Sequence, residues 1–386
     1  MKFYAIIGTG RSGTTLSTNL VDGINENIYV HPIEINFITA FHDLSHYGKI
    51  TNKTKYYANF KSDLKLNRVK KKFLIQYYSG QILQLKNNFI NQISSIKNEI
   101  GDLNLENEMS QDDYSLDEFV NEFFKIITCW IFPTQKKNIV IFKTIDVAHC
   151  DKLKKNISNL KLIHIIRDPI KTYESLVRSP RMDNSLCFPS WYLAGDNLTT
   201  MIRRWIHHSR YVIDHISDTD NNFILKYEDL VKDTSIILNN LKEYIKLNNA
   251  NISNQSTILG GYKPKELVHN MGIPADKNYL ELRVENLRHQ SIPCLNDQEK
   301  ETIIFSTYSL SKKLGYFQNE VKPNIYQILI LWLRIGSWEV KNISDFYKYR
   351  YNEKQLNIFN KIFFIGIGIF SALRGIIIRR VNIFFL

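Results

Sequence analysis

Short apolar runs, each followed by a turn and a stretch of helical spacing, recur along the chain. Lys2 to Ile7 reads as a buried strand, Gly8 to Gly13 as a loop and Thr14 to about Gly23 as a helix. Strand-type runs return at Asn138 to Lys143, Lys161 to Ile166 and Asn222 to Lys226, and helices are expected after the first two. A further strand is expected between the first helix and His31. Strands alternating with helices predict an α/β fold with a central parallel sheet flanked by helices.

Between about residues 40 and 135 the pattern changes to a mostly helical insertion with a mobile segment. It contains the basic run Arg68 to Lys72 and the polar, acidic run Asn104 to Asp113, both read as solvated surface. The core domain is expected to close after Leu314-Gly315-Tyr316, giving a domain over residues 1–318 and an apolar helical extension over 319–386.

Composition narrows the partners. Hydrophobic residues make up 44% of the 386 positions and charged residues 23%, which fits a folded chain and argues against disorder. The net charge of +12 calls for an anionic partner: a phosphorylated nucleotide, nucleic acid or an acidic membrane surface. No basic patch with interleaved aromatics marks an RNA-binding motif, so nucleic acid is not expected. Cys129, Cys150, Cys187 and Cys294 show neither paired spacing nor a His/Cys cluster, so no metal is expected and a reducing cytoplasm suits them. The opening MKFYAIIGTG has too short an apolar run for an export signal.

The strongest local signal is Gly8-Thr9-Gly10-Arg11-Ser12-Gly13-Thr14-Thr15. Glycines after a strand let the backbone turn tightly and aim N–H groups inward, and the helix that follows adds its positive end, which together make an anion cradle. Gly8 and Gly13 fit the spacing of the ATP/GTP loop, but Thr14 stands where that loop needs lysine, and the cation comes earlier, at Arg11. A second signal follows the strand Lys161 to Ile166. Arg167 sits at its end, Pro169 opens a helix, and Ser175 lies in the second turn, a set suited to a second, separate phosphate.

With these two motifs in order, the chain resembles the sulfotransferases that use 3′-phosphoadenosine 5′-phosphosulfate (PAPS), a family of P-loop NTPase-like fold. GTGRSGTT is similar to that family's 5′-phosphosulfate loop, IIRDPIKTYES to its 3′-phosphate motif, Tyr227-Glu228-Asp229-Leu230 to its YEDL segment and Lys312 to Tyr316 to its closing motif. The resemblance implies that Gly10, Arg11, Ser12, Gly13, Thr14 and Thr15 hold the 5′-phosphosulfate, that Arg167 and Ser175 hold the 3′-phosphate, and that Tyr227 lies near the adenine. Arg288 is a weaker match to a late 3′-phosphate contact. It also implies transfer of a sulfuryl group from PAPS to an acceptor hydroxyl or amine, on a glycan, a lipid or a small molecule, without a metal. A P-loop kinase or other NTP-binding protein is the rival reading.

Two departures matter. Leu16 stands where cytosolic members place an aromatic residue, and Ile145 follows Lys143-Thr144 where they place the catalytic histidine. Arg11 is the first candidate to stabilise the leaving group and Lys143 the second. For the base, Glu34 or His31 in His31-Pro32-Ile33-Glu34 remain the alternatives, with Glu34 preferred. Trp191 and Tyr192 are candidates to stack on a sugar acceptor. In the extension, Ile362 to Leu373 is apolar apart from Ser371, and Arg374, Arg379 and Arg380 follow. This reads either as a shallow anchor on an anionic inner membrane surface or as a buried terminal helix or dimer contact.

Overall fold

The computed structural model describes residues 1–50, 65–93, 100–144, 147–177, 198–247, 257–260, 295–324 and 326–327. The strands are β1 (Lys2–Gly8), β2 (Ile28–Glu34), β3 (Val69–Lys70), β4 (Asp113–Tyr114), β5 (Ile139–Thr144), β6 (Leu160–Ile166) and β7 (Asn222–Lys226). The helices are α1 (Thr14–Val21), α2 (Phe37–Tyr47), α3 (Lys71–Asn88), α4 (Leu105–Glu108), α5 (Leu116–Ile131), α6 (Cys150–Asn156), α7 (Pro169–Val177), α8 (Leu198–Asp214), α9 (Tyr227–Lys232), α10 (Thr234–Ile245) and α11 (Asp297–Lys313). Chain contacts divide the molecule into two units: residues 1–187 with 204–294, and residues 188–203 with 295–386.

The first unit is built on one parallel sheet of order β2-β5-β1-β6-β7. Its strands are apolar on both faces, as a sheet covered by helices on both sides requires. Phe3, Ala5, Ile7, Val140 and Phe142 face a core shared with Phe37 and Phe41 of α2 and Phe119, Phe123 and Phe124 of α5. Tyr4, Ile6, Ile141, Ile163 and Ile165 face the other core, with Leu16 and Leu20 of α1 and Leu238 and Leu241 of α10. This is the P-loop-like α/β fold expected. After β1 the chain builds β2 and β5 on one side, then crosses to build β6 and β7 on the other. The C-terminal end of β1 therefore lies at a switch of direction, where open α/β sheets bind ligands.

The first unit differs from the sequence reading in one place. His31 to Glu34 lies inside β2, not after it. Proline is tolerated there because β2 is an edge strand and its register with β5 slips between Val30 and Glu34. In the insertion, the basic and acidic runs find each other. Val69 pairs with Tyr114 and Lys70 with Asp113 in an antiparallel ladder, Arg68 meets Asp113 and Glu118, and Lys71 Nζ donates to the Met109 carbonyl at 2.7 Å. A capping box between Ser115 and Glu118 starts α5 beside this ladder.

In the second unit, a capping box between Asn296 and Glu299 starts α11, and Gly315, at φ 81°, follows its end. Among the described residues no helix is long and apolar enough to cross a membrane. Arg288, Trp191, Tyr192, Ile145 and the apolar extension from Ile325, apart from Tyr326 and Gln327, lie outside the described residues.

Candidate active site

Five strand ends line up along the C-terminal edge of the sheet: Glu34, Lys143, Gly8, Arg167 and Tyr227 belong to, or directly follow, β2, β5, β1, β6 and β7 in that spatial order. Parallel pairing in register brings them there from positions far apart in sequence.

The loop between β1 and α1 occupies the middle of the row. The Ser12 N–H donates to the Thr9 carbonyl at 3.0 Å, and Arg11 adopts φ 70° and Gly13 φ 104°. That conformation is costly for a residue with a Cβ and suits glycine. A Cβ on Gly8 would lie 2.2 Å from Ser12 Oγ, 2.9 Å from Thr14 Cγ2 and 3.1 Å from the Ile165 carbonyl, so the loop packs tightly against this glycine. Ser12 is fully buried, and its hydroxyl has no hydrogen-bond partner among the described residues. A buried hydroxyl without a partner is costly unless something binds it.

Two cations reach the loop from neighbouring strands, and a third, Arg11, belongs to the loop itself. Lys143, 8% exposed, donates from Nζ to Thr15 Oγ1 at 3.2 Å, which brings an ammonium from β5 to the first turn of α1. Arg167, 3% exposed, donates from Nη1 to the Arg11 carbonyl at 3.0 Å. Arg11 in turn donates from Nε to the Ser175 carbonyl at 3.3 Å. The loop and the second motif are thus tied in both directions.

The second motif is held from behind. The Asp168 carboxylate accepts from the N–H groups of Ile170 and Lys171 at 2.7 and 3.0 Å and caps α7. Burial pushes its carboxyl above the usual range, and Glu228 adds to this, while the accepted N–H groups pull it down. Glu228 accepts from the Asp168 N–H at 3.0 Å, and Trp205 Nε1 donates to the Arg167 carbonyl at 2.8 Å. The Tyr227 ring lies under the Arg167 guanidinium, 4.2 Å from Cζ to the ring centre. Trp205, Glu228 and Asp168 were given no role from the sequence. Glu228 had a signal, since it stands next to Tyr227 in the YEDL segment, whereas Trp205 lies 38 positions from Arg167 and had none.

The two candidate bases sit in different places. Glu34 is half-buried at the end of β2, opposite Lys143 in register. His31 is sealed in the aromatic core, with its ring 5.6 Å from that of Phe124 and its Nδ1 2.8 Å from the Tyr29 hydroxyl. Burial, helped by the charge of Lys143, lowers the pKa of His31 to about 3.

The sheet, its switch point and the glycine loop define a P-loop-like α/β protein. No family model matches the chain, and no curated protein matches its sequence. Among solved structures it is similar to the sulfotransferase domain from the curacin biosynthetic pathway, at 16% identity over 83% of this chain and 99% of that one, with a TM-score of 0.42. It is similar also to the sulfotransferase domain of the Synechococcus PCC 7002 olefin synthase, at 17% identity over 82% and 95%, TM-score 0.40. A sulfotransferase from Alicyclobacillus acidocaldarius aligns at 9% identity over 83% and 98%, TM-score 0.38.

Proposed function

We propose that the chain is a sulfotransferase that moves a sulfuryl group from PAPS to a hydroxyl or amine of a glycan, lipid or small molecule. The observation that supports this most is the two-way tie between the loop and the Arg167 motif. It sets two anion-binding groups side by side, as a nucleotide with separate 5′ and 3′ charges requires. The buried Ser12 hydroxyl, without a partner among the described residues, and the tight packing at Gly8 fit a loop completed by a phosphate or sulfate oxygen.

PAPS supplies an activated sulfuryl group and a stable leaving group. Arg11 and Lys143 oppose the charge that grows on the departing oxygen, and Thr14 and Thr15 donate to the same group. Glu34 takes the acceptor's proton as the acceptor oxygen or nitrogen bonds to sulfur and the bond from sulfur to the 5′-phosphate oxygen breaks. Its half-buried place beside Lys143 favours it over the sealed His31. Arg167 and Ser175 bind the 3′-phosphate.

One observation favours the rival, an NTP-binding protein: Lys143 brings to α1 the ammonium that Thr14 lacks. Calorimetric titration with 3′-phosphoadenosine 5′-phosphate, AMP and ATP separates the two. The sulfotransferase reading expects tight binding that needs the 3′-phosphate and weakens in Arg167→Ala. Preference for ATP, or indifference to the 3′-phosphate, overturns it.

A further inference from the structure

Tyr227 resembles a family residue expected near the adenine, yet it is 2% exposed, and its ring is occupied on the protein side. A Cβ on Gly13 would lie 2.3 Å from Tyr227 Cδ2 and 2.8 Å from Cε2, so the ring fills the space that only glycine leaves open beside the loop. The Arg167 guanidinium stands over the same ring. The next residue, Glu228, holds the Asp168 N–H, so the start of α9 touches both anion motifs within two positions.

We propose that Tyr227 is a positioning residue whose aromatic face aims Arg167 at the 3′-phosphate and locks it to the 5′ loop, so that the enzyme's preference for a 3′-phosphorylated nucleotide depends on this ring. This rests on the sulfotransferase reading above. The physical reason lies in the charge. A nearly buried guanidinium needs a partner, and a carboxylate would cancel the charge that attracts the phosphate. A ring face attracts the cation through its quadrupole without adding an opposite charge of its own. Contact with Gly13 makes the same ring a stop for the loop, so a shift of Arg167 is felt at the 5′ site through the Arg11 carbonyl as well.

The test is the ratio of AMP to 3′-phosphoadenosine 5′-phosphate dissociation constants, measured by calorimetry on the full chain. Tyr227→Leu is expected to shrink this ratio by about tenfold, and Tyr227→Phe, which keeps the ring face, to hold it within about threefold of the unaltered protein. In an Arg167→Ala background, Tyr227→Leu is expected to change the ratio no further. Should Tyr227→Leu fail to fold, Tyr227→Met fills a similar volume without a ring and reads the same quantity.

Equal weakening of both nucleotides in Tyr227→Leu, with the ratio unchanged, would reduce Tyr227 to a packing residue and overturn the proposal. Loss in Tyr227→Phe as large as in Tyr227→Leu would assign the effect to the hydroxyl and overturn it too. Absence of any 3′-phosphate preference in the unaltered protein would instead remove the sulfotransferase reading on which the proposal stands.

Discussion

Arg167 and Arg11 are joined through backbone rather than through opposite charge: Arg167 Nη1 donates to the Arg11 carbonyl at 3.0 Å. Arg11 turns its own Nε to the Ser175 carbonyl at 3.3 Å. The two guanidinium groups concentrate positive charge along the loop and the second motif, which favours an anionic ligand there.

Arg11→Lys is therefore expected to cost more than a conservative change should. Lysine keeps the charge but has no planar fork to reach the Ser175 carbonyl and an anion at once. Affinity for 3′-phosphoadenosine 5′-phosphate should fall by about tenfold or more, as read by calorimetry.

Gly13→Ala and Gly10→Ala should part company in stability. Gly13 has φ 104° and the Tyr227 ring where a Cβ would go, whereas a Cβ on Gly10 meets nothing within 4 Å. Urea denaturation is expected to show a loss of about 2 kcal/mol or more for Gly13→Ala and less than about 0.5 kcal/mol for Gly10→Ala.

Glu34→Gln should slow turnover by about 10²–10⁴-fold while leaving the affinity for 3′-phosphoadenosine 5′-phosphate almost unchanged. The measurement is sulfuryl transfer to an acceptor found by screening, set beside calorimetry on the same preparation. If His31→Gln abolishes turnover at unchanged stability and Glu34→Gln does not, the assignment of the base reverses.

Acid should unfold this protein early, because His31, His164 and His208 are buried in the neutral form. His164 bonds His208 at 3.1 Å and Asn222 at 3.1 Å, linking β6 to α8 and β7. Burial is the first cause of each shift. It lowers the pKa of His164 to about 4 and of His31 to about 3, and places His208 well below its ordinary value. The unfolded chain takes up these protons near pH 6.5 and the folded one does not. Stability is thus fully present above pH 6.5 and falls as pH drops toward 4, by about 1.4 kcal/mol per pH unit for each such group. Urea midpoints at pH 7 and pH 5 check the slope, and His164→Gln should make it shallower.

The strand at Asn222–Lys226 was legible to the residue, and β1, β5 and β6 to within one, because their apolar runs end abruptly at glycine, arginine or charged turns. The charge runs of the insertion are exposed, as their composition implies, but their mutual pairing was not legible. Nothing in their local composition tells that Lys70 will stand opposite Asp113, which is a long-range pairing. Likewise His31 and Glu34 look equivalent in a four-residue segment. Strand alternation and the slip in register then bury His31 among aromatics and leave Glu34 at the rim beside Lys143.

By itself the sequence determined the local chemistry: the glycine loop at Gly8 to Gly13, the helix starts after Gly13 and Asp168, and a buried parallel sheet. Spacing, capping and propensity act over a few residues and can be read there. Only the tertiary structure decided which residues meet. Lys143 reaches Thr15, Tyr227 lies beneath Arg167, and Trp205 holds the Arg167 carbonyl because strand order and register set neighbours across 60 or more positions in the first two cases and 38 in the last. That order is settled by burying two apolar sheet faces at once, a property of the whole chain that no short segment contains.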